Sequence, residues 1–531
     1  MELSQKTRSL IQQYQLWYQG LEPKENLNTV SVDEVASKVA SFYEKIRGVV
    51  DWREEHLLRK TAIERIFKRR MMVSNSTAEM AEPLLQELIR GGHFPNNRIP
   101  VSKIEDMQRA INKYVALMES SKNYVAENKL GNLESWLLSL GSCELEELLS
   151  SPIKEKALID WMAADMDDRI GIREKDTGKI SEEERVLLIY IGVHRSLFKM
   201  DDSTTALHLL ERVYPNWKAL DLASIAPVSQ TIQETMGRID ILLKHPLGER
   251  FYQIIERYDT PYLLVGDVLS KDPNAFEALA TNPEGFENAV REAYDKRLLK
   301  LKSRMRRAAF FSTLSVFLSK VLIALAVEIP FDKYLAGAVN YSAIGWSISI
   351  PPLFLLLLVM TVKSSSQENI ARVLLEVTKV TFETERKSTL PVKLPKKRKG
   401  VASFFVFLVY FTTFFVTFGT LWYVLEKAGF TPLSSVVFLL FLSLVAYGGT
   451  RIRHRSKELI VGEQPQGFLW GLFDFFFLPV IQTGKWFSGQ LVRYNILTIL
   501  LNVLIEAPFQ VFVEFLEQLR TFWKEKREEI H

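Results

Sequence analysis

The sequence predicts an all-α protein, in which an N-terminal helical domain precedes a polytopic α-helical membrane bundle. Residues 1–307 are densely charged, whereas residues 308–515 hold nearly all of the long apolar runs. In the charged half, apolar side chains recur at helical spacing, and no sustained two-residue alternation bounded by turns indicates a strand. The mean hydropathy of +0.01 is therefore the average of two unlike halves.

Composition and charge exclude several protein classes. The chain has 67 Lys and Arg against 63 Asp and Glu, and the net charge of +4 is too small to favour nucleic acid as the main partner. Cys143 is the only cysteine, so an intrachain disulfide and a cysteine-based zinc site are excluded, and we expect a small buried residue there. Residues 1–20 lack the apolar stretch of a cleavable signal peptide. We therefore expect the residues before the first apolar run to stay in the cytosol.

The charged half is expected to form a cytosolic all-helical domain at 1–307, with subdomains at 1–150 and 151–271. Serine and glutamate are spaced three apart in two capping boxes, where each side chain satisfies an exposed helix amide. The boxes are at 31–34 and 181–184. The glycine- and proline-containing segments 91–97 and 174–179 are expected breaks between helices.

A near-repeat precedes the membrane half. Asp272-Pro273 and Asn282-Pro283 each join a capping residue to a proline, which has a fixed φ and needs no amide partner, so each predicts a helix start. Beyond Pro283 the only breaker before Pro330 is Gly285. We expect one helix of about 45 residues, which includes a membrane-proximal part at 283–307 and continues through the first span.

Residues 51–72 predict a basic amphipathic helix. Leu58, Ala62, Ile63 and Ile66 lie on one side of it, and basic residues cover much of the rest. Such a helix can lie on anionic lipid or bind RNA, but it is more often a core helix with a solvated basic face. We favour the core helix.

Four apolar runs are long enough to cross the hydrocarbon core of a bilayer, which needs about 20 residues. They are Ala308–Val327, Tyr341–Val362, Val401–Leu425 and Pro432–Thr450. We group them as a first transmembrane hairpin at 308–362 and a second at 401–450. Lys320 is the one charged residue in these runs.

Basic residues flank the spans on one side. Seven lie in 296–307, ten in the loop 363–400 and four in 451–457, whereas the opposite loops hold Lys333 and Lys427. Because Lys and Arg are retained in the cytosol, this asymmetry predicts that the N-terminal domain, the 363–400 loop and the 451–466 segment face the cytosol. We expect a multi-pass protein of the plasma (inner) membrane.

The last apolar stretch, 467–513, is ambiguous because it contains Asp474, Pro479 and Glu506. Two further spans joined by a turn at 484–490 would return a tail at 514–531 to the cytosol. A re-entrant hairpin, or two helices in the membrane interface, would do the same. We favour six spans, with four spans and such a hairpin as the alternative.

Ionisable and polar residues within the apolar half are the candidate site, because charges in a membrane are costly and usually paired or functional. They are Lys320, Asp474, Asn495, Asn502 and Glu506. The last three would form one polar stripe on a helix. Either these residues line a hydrated path, or they hydrogen-bond between helices; Lys320 could also extend to the far interface.

A second candidate site is a polybasic segment directly before the third span. It contains Lys393, Lys396, Lys397, Arg398 and Lys399. Basic residues next to a membrane attract anionic lipid headgroups, each contributing about 1 kcal/mol. The same residues also act as an ordinary topology signal.

Motifs for catalysis and cofactor binding are missing from the sequence. It has no phosphate-binding or dinucleotide-binding glycine loop, no His-Glu-x-x-His and no Gly-x-Ser-x-Gly. His194 and His208 have ligand-like spacing, but Asp202-Ser203 predicts a helix start between them, so we expect no metal site. We predict no catalytic residue and no cofactor.

The sequence thus favours a non-enzymatic, membrane-anchored interaction or regulatory module, whose cytosolic helices bind a protein or lipid partner. The alternative is a transporter or ion channel with a polar path lined by the intramembrane charges. A membrane enzyme has no supporting group of residues.

Overall fold

A computed structural model describes most of the chain. The described residues are 2–20, 28–32, 55–73, 79–172, 180–221, 224–334, 337, 339–360, 367–383, 390–392, 400–456, 458–462 and 468–493, with backbone only at 73, 172, 367–368, 401–403, 468–474 and 491–493. Nearly all of them are helical, so the all-α prediction is confirmed.

The chain forms two compact units. One comprises Met1–Ala293 and Ala371–Leu394, and we call it the helical domain. The other comprises Tyr294–Ile370 and Pro395–His531, and we call it the apolar-helix unit. Part of the expected loop 363–400 therefore belongs to the helical domain.

The helical domain is built from short amphipathic helices. They are α1 Gln5–Gln19, α2 Glu55–Val73, α3 Ala81–Arg90, α4 Ser102–Ser121, α5 Glu127–Leu149, α6 Ile153–Arg169, α7 Glu182–Leu197, α8 Asp202–Val213, α9 Ile225–Leu243, α10 Gly248–Ile255, α11 Asp259–Lys271 and α12 Phe276–Thr281. Short 3-10 turns lie at Trp217–Ala219 and Glu256–Tyr258.

Local sequence signals explain several of these helices. The predicted capping box at Ser181 and Glu184 is present and starts α7. Helix α3 ends at Arg90, where the predicted glycine-containing break begins. In α2, Ala62, Ile63 and Ile66 are buried as the core interpretation requires. The capping box expected at 31–34 lies partly outside the described residues, and the break expected at 174–179 lies wholly outside them.

Among the described residues, a two-stranded parallel sheet departs from the helical prediction. Strand β1, Ile170–Ile172, pairs with β2, Leu390–Val392, and Ile170 lies opposite Leu390. Each strand has three residues, which is too short to produce the alternation by which strands are recognised in a sequence. The expectation of no sheet was wrong for this reason.

The apolar-helix unit holds the long helices. They are α13 Pro283–Ile323, a π-helical segment Ala324–Glu328, α14 Ile329–Tyr334, α15 Tyr341–Met360, α16 Gln367–Phe382, α17 Gly400–Lys427, α18 Pro432–Arg455 and α19 Phe468–Arg493. The first part of α13 and the second part of α16 belong to the helical domain. The prediction of a single helix from Pro283 into the first apolar run is confirmed.

Within the described residues, four helices are long and apolar enough to cross a membrane. They are Pro283–Tyr334, Tyr341–Met360, Phe404–Lys427 and Pro432–Arg455. Each overlaps one of the four runs recognised in the sequence. The second ends at Met360, two residues before the end of its predicted run, and the third begins at Phe404, three residues after the start of its predicted run. Length and composition thus identify a protein with the helices of a membrane protein.

The end of the described chain differs from the expected hairpin. Helix α19 continues through 484–490, where we predicted a turn, because Gly484 packs against α18 instead of ending the helix. A Cβ atom at Gly484 would clash with the carbonyl oxygen of Ser443. Residues 494–513 lie outside the described residues, so the hairpin itself stays a prediction.

Candidate functional site

Lys320 lies in the last turn of α13, and its ammonium group donates a hydrogen bond to Oε1 of Glu328. Both side chains are 0% exposed. A lone buried charge is costly, but a paired and hydrogen-bonded one is tolerated. The sequence analysis recognised Lys320 and missed its partner, although Glu328 is the first carboxylate after the apolar run.

The expectation that Lys320 reaches the far interface stays a prediction, and the pairing with Glu328 gives the direction of its side chain. By helical rise Lys320 lies about 20 Å beyond Arg307, and Glu328 about 30 Å beyond it, which is the thickness of a hydrocarbon core. The side chain extends toward Glu328, away from the basic cluster 296–307. The ammonium group of Lys320 is hydrogen-bonded to the buried carboxylate of Glu328 and is not exposed to water.

The other oxygen of Glu328 faces the neighbouring helix α15. The hydroxyl of Ser347, which is fully buried, lies 3.4 Å from Oε2 of Glu328. On the opposite side, Nζ of Lys320 lies 5.3 Å from the ring centre of Phe441 on α18, within the range of a cation–π contact. Three helices therefore enclose the ion pair.

The backbone is irregular on both helices next to this pair. Glu328 ends the π-helical segment Ala324–Glu328, and such segments occur often at functional sites. In α15, Pro351 and Pro352 are both buried inside the helix. Proline has no amide proton, so the carbonyl groups of Ser347 and Ile348 lose their helical donors.

A second carboxylate follows one turn after Glu328. Asp332 is 2% exposed, and its Oδ1 accepts a hydrogen bond of 2.8 Å from the hydroxyl of Thr431, the N-cap of α18. Among the described residues, no basic side chain lies within ion-pair distance of Asp332. Lys320, Glu328 and Asp332 together thus hold two carboxylates and one ammonium group.

The remaining predicted site residues are not brought to this pair by any described contact. Asp474 lies in α19 where only the backbone is described. The polar stripe and the polybasic segment lie outside the described residues. Their members are Asn495, Asn502, Glu506, Lys393, Lys396, Lys397, Arg398 and Lys399.

The helical domain contains a separate polar cleft with a volume of about 200 Å³. Arg59 of α2 crosses it and donates to Glu146 at 2.9 Å, to Glu55 at 2.7 Å and to Ser150 at 3.2 Å. Burial raises the pKa of Glu146 to about 7, although Arg59 opposes the shift. The basic residues of α2 are thus used in part for ion pairs within the domain.

A buried charge cluster lies beside this cleft. Glu147 accepts hydrogen bonds from Lys156 at 3.0 Å and Lys218 at 2.7 Å and pairs with His208. Burial opposes the ionised form, but His208 and the two lysines hold the pKa of Glu147 well below its usual range. These partners fix a carboxylate in place and leave it little capacity as a base.

The two histidines considered as metal ligands do meet, with ring centres 4.8 Å apart. Burial lowers the pKa of His194 well below 6.5, and its Nδ1 lies 3.2 Å from the sulfur of Met200. No group of three His, Cys, Asp or Glu among the described residues has the geometry of a metal site. Cys143 is 2% exposed and burial raises its pKa, so it is a buried thiol as expected.

Comparisons with known proteins identify no relative. No protein-family model matches the chain, and no curated protein and no solved structure matches it.

Proposed function

We propose that the chain is a non-enzymatic, membrane-anchored interaction or regulatory module whose helical domain binds a protein or lipid partner. The observation that carries the proposal is the polar cleft between α2, α5 and α8. Several of its charged side chains are held in ion pairs, which suits the recognition of a charged surface more than bond chemistry.

The rim of the cleft offers contacts to a partner. Glu55 is 84% exposed at the start of α2, so it is open to a basic group. Phe198 and Met200 line the cleft on either side of Lys199, which adopts a φ of 51°. A left-handed conformation is strained for a residue other than glycine and often marks a functional turn.

Site-specific photo-crosslinking tests this proposal. A photoreactive amino acid at position 55 of the full chain, in the membranes of the cell that makes it, should give one discrete adduct. Position 234 is a matched control, because Glu234 is also exposed and also pairs with an arginine four residues on. Equal labelling from both positions, or none from position 55, would contradict the proposal.

We also propose that the helical domain lies in the cytosol and that the protein resides in the plasma membrane. The charge asymmetry supports this orientation. Connectivity supports part of it independently: Ala371–Leu394 belongs to the same compact unit as Met1–Ala293. The two candidate spans between them must then return the chain to the side from which it left.

Cysteine labelling tests this topology. In a chain with Cys143→Ser, a cysteine at position 427 should react with an impermeant reagent applied from outside. A cysteine at position 397 should react only after permeabilisation. External labelling at 397 would overturn the orientation.

Three finer proposals concern segments that lie wholly or partly outside the described part of the chain. The polybasic segment Lys393–Lys399 contacts anionic lipid headgroups, 467–513 adds two spans, and the tail 514–531 returns to the cytosol. Binding to vesicles with and without phosphatidylserine, compared for the wild type and a variant with Lys396, Lys397 and Lys399 changed to Gln, tests the first. Labelling of a cysteine at position 524 tests the tail. External labelling of a cysteine at position 490 tests the two spans, because a re-entrant or interfacial hairpin would not expose that residue outside.

A second candidate function is the transport of an ion. The observation that favours it is the irregular backbone beside Lys320 and Glu328, since transporters place broken helices where ions bind. Flux into liposomes that contain the purified chain, driven by gradients of Na⁺, K⁺ and H⁺, tests it. A transporter should lose flux in Glu328→Gln, and absence of flux under every gradient would leave only the interaction module.

A further inference from the structure

We propose that Glu328 and Ser347 form a binding site for a hard monovalent cation, on the side of the Glu328 carboxylate that faces away from Lys320. This inference deepens the second candidate function and rests on it for its physiological role. The binding itself is a property of the residues and is measured without transport.

The two oxygens of Glu328 have different surroundings. Oε1 accepts the hydrogen bond from Lys320. Oε2 faces the hydroxyl of Ser347 at 3.4 Å, which is long for a hydrogen bond between oxygens. Two oxygens that each lie about 2.4 Å from one hard cation, at a right angle, are separated by about 3.4 Å. The spacing therefore fits two ligands of one cation.

The backbone of Ser347 offers a further oxygen that lacks its helical donor. Because Pro351 cannot donate to the carbonyl of Ser347, that carbonyl is available as a ligand one peptide unit away from the hydroxyl. Unwound or donor-free carbonyls coordinate alkali cations in transporters in this way. Carboxylate, hydroxyl and carbonyl oxygens are the ligand types that hard cations prefer.

The charge balance selects a monovalent ion. Lys320, Glu328 and Asp332 are all buried, and with both carboxylates ionised they carry one net negative charge. An uncompensated buried charge is strongly unfavourable. One monovalent cation at Oε2 makes this group neutral, whereas a divalent ion would leave it positive. Removing Lys320 should therefore strengthen cation binding, which no purely structural role of the ion pair would do.

Thermal unfolding of the purified full chain in detergent tests the site, with NaCl replaced stepwise by choline chloride at constant ionic strength. Na⁺ should raise the melting temperature of the wild type. Ser347→Ala should weaken the apparent Na⁺ affinity at least tenfold, and Glu328→Gln should abolish the Na⁺-specific shift. Ser342→Ala, on the same helix at an exposed position, is the matched control and should respond like the wild type.

Lys320→Met gives the decisive comparison. Its apparent Na⁺ affinity should be at least tenfold tighter than that of the wild type. Lys320→Gln, which keeps a hydrogen-bond donor, replaces it if the Met variant does not fold. Broadening of the ²³Na NMR line by the wild type, compared with Glu328→Gln, measures Na⁺ binding independently in proteins that keep Lys320.

The outcomes separate this site from the transport function. The site is overturned if Na⁺ and choline act alike on the wild type and on the Lys320 variant, or if Ca²⁺ stabilises the wild type more than Na⁺ does. Na⁺ binding without flux in liposomes would support the site and reject transport. Flux without Na⁺-specific stabilisation would reject the site and keep transport.

Discussion

Several buried charges in the helical domain have more than one partner, and Glu144 is the clearest case. It is 2% exposed and accepts from Lys113 at 2.6 Å and from Tyr114 at 2.8 Å. The indole of Trp217 donates to it at 3.2 Å, and Lys113 also donates to the carbonyl of Trp217. One carboxylate thus fixes α4, α5 and the 3-10 turn at Trp217.

Replacing Lys113 with Met should destabilise the protein by about 3–5 kcal/mol, because it leaves the buried Glu144 carboxylate without its counter-ion. Urea unfolding of the full chain in mild detergent, followed by tryptophan fluorescence, measures the change. Lys244→Met is the control, since Lys244 is 72% exposed and its pair with Asp240 should contribute less than about 0.5 kcal/mol. Equal losses in both variants would show that the Glu144 cluster has no special role.

Glu146 gives a prediction about pH. Its pKa is raised by burial from 4.5 to about 7, so the folded state holds the proton more tightly than the unfolded state does. The associated stability is fully present below pH 4.5 and is lost as the pH rises to about 7.

Glu146→Gln cannot lose this proton, so its stability relative to the wild type should increase between pH 4.5 and 7 by roughly 3 kcal/mol. Urea unfolding of both proteins at several pH values measures the difference. Glu234→Gln, at an exposed position, should keep a constant difference from the wild type over the same range. A flat profile for the Glu146 variant would show that its pKa is not raised.

At the scale of elements, α18 and α19 approach each other closely at Gly484. A Cβ atom on Gly484 would clash with the carbonyl oxygen of Ser443. A second glycine of α19, Gly489, has no atom within 4 Å of its ideal Cβ position. The two glycines therefore lie on the same helix, but only Gly484 is in tight contact with a neighbouring helix.

Gly484→Ala should lower the melting temperature of the detergent-solubilised protein, because α18 and α19 must move apart or bend. Gly489→Ala should leave it unchanged or raise it, since alanine favours a helix over glycine by up to about 1 kcal/mol. Scanning fluorimetry of both variants measures the contrast. If the two melting temperatures change alike, the contact of Gly484 with Ser443 is not close.

Elements that depend on neighbouring residues could be predicted from the sequence, whereas elements that depend on contacts between distant segments could not. The long helix from Pro283 follows from a cap, a proline and a lack of breakers, so it was predictable. Strands β1 and β2 were not, because their pairing joins segments far apart in the chain. The same holds for the site: Lys320 is conspicuous in an apolar run, but Ser347 becomes relevant only when α15 packs against Glu328.

At the scale of the whole molecule, the helical domain is discontinuous in sequence. The segment Ala371–Leu394 contributes Val377 and Val392, both 0% exposed, and the phenyl ring of Phe382 packs on Phe286 with centres 5.5 Å apart. The hydroxyl of Thr7 in α1 donates to the carbonyl of Thr381 at 3.0 Å. The residues before the first candidate span thus lack part of their own core.

Residues 1–293 alone should therefore be unstable, and residues 1–293 joined to 371–394 by a flexible glycine–serine linker should fold. Burying several apolar side chains contributes about 1.5 kcal/mol or more for each one, so the joined chain should melt at least about 5 °C higher. Circular dichroism and gel filtration measure melting and aggregation.

The control is the joined chain with Val377→Asp, which places an unpaired carboxylate in the core and should melt like residues 1–293 alone. If all three melt at one temperature, residues 1–293 fold without 371–394, and the argument that both segments share one side of the membrane fails with it.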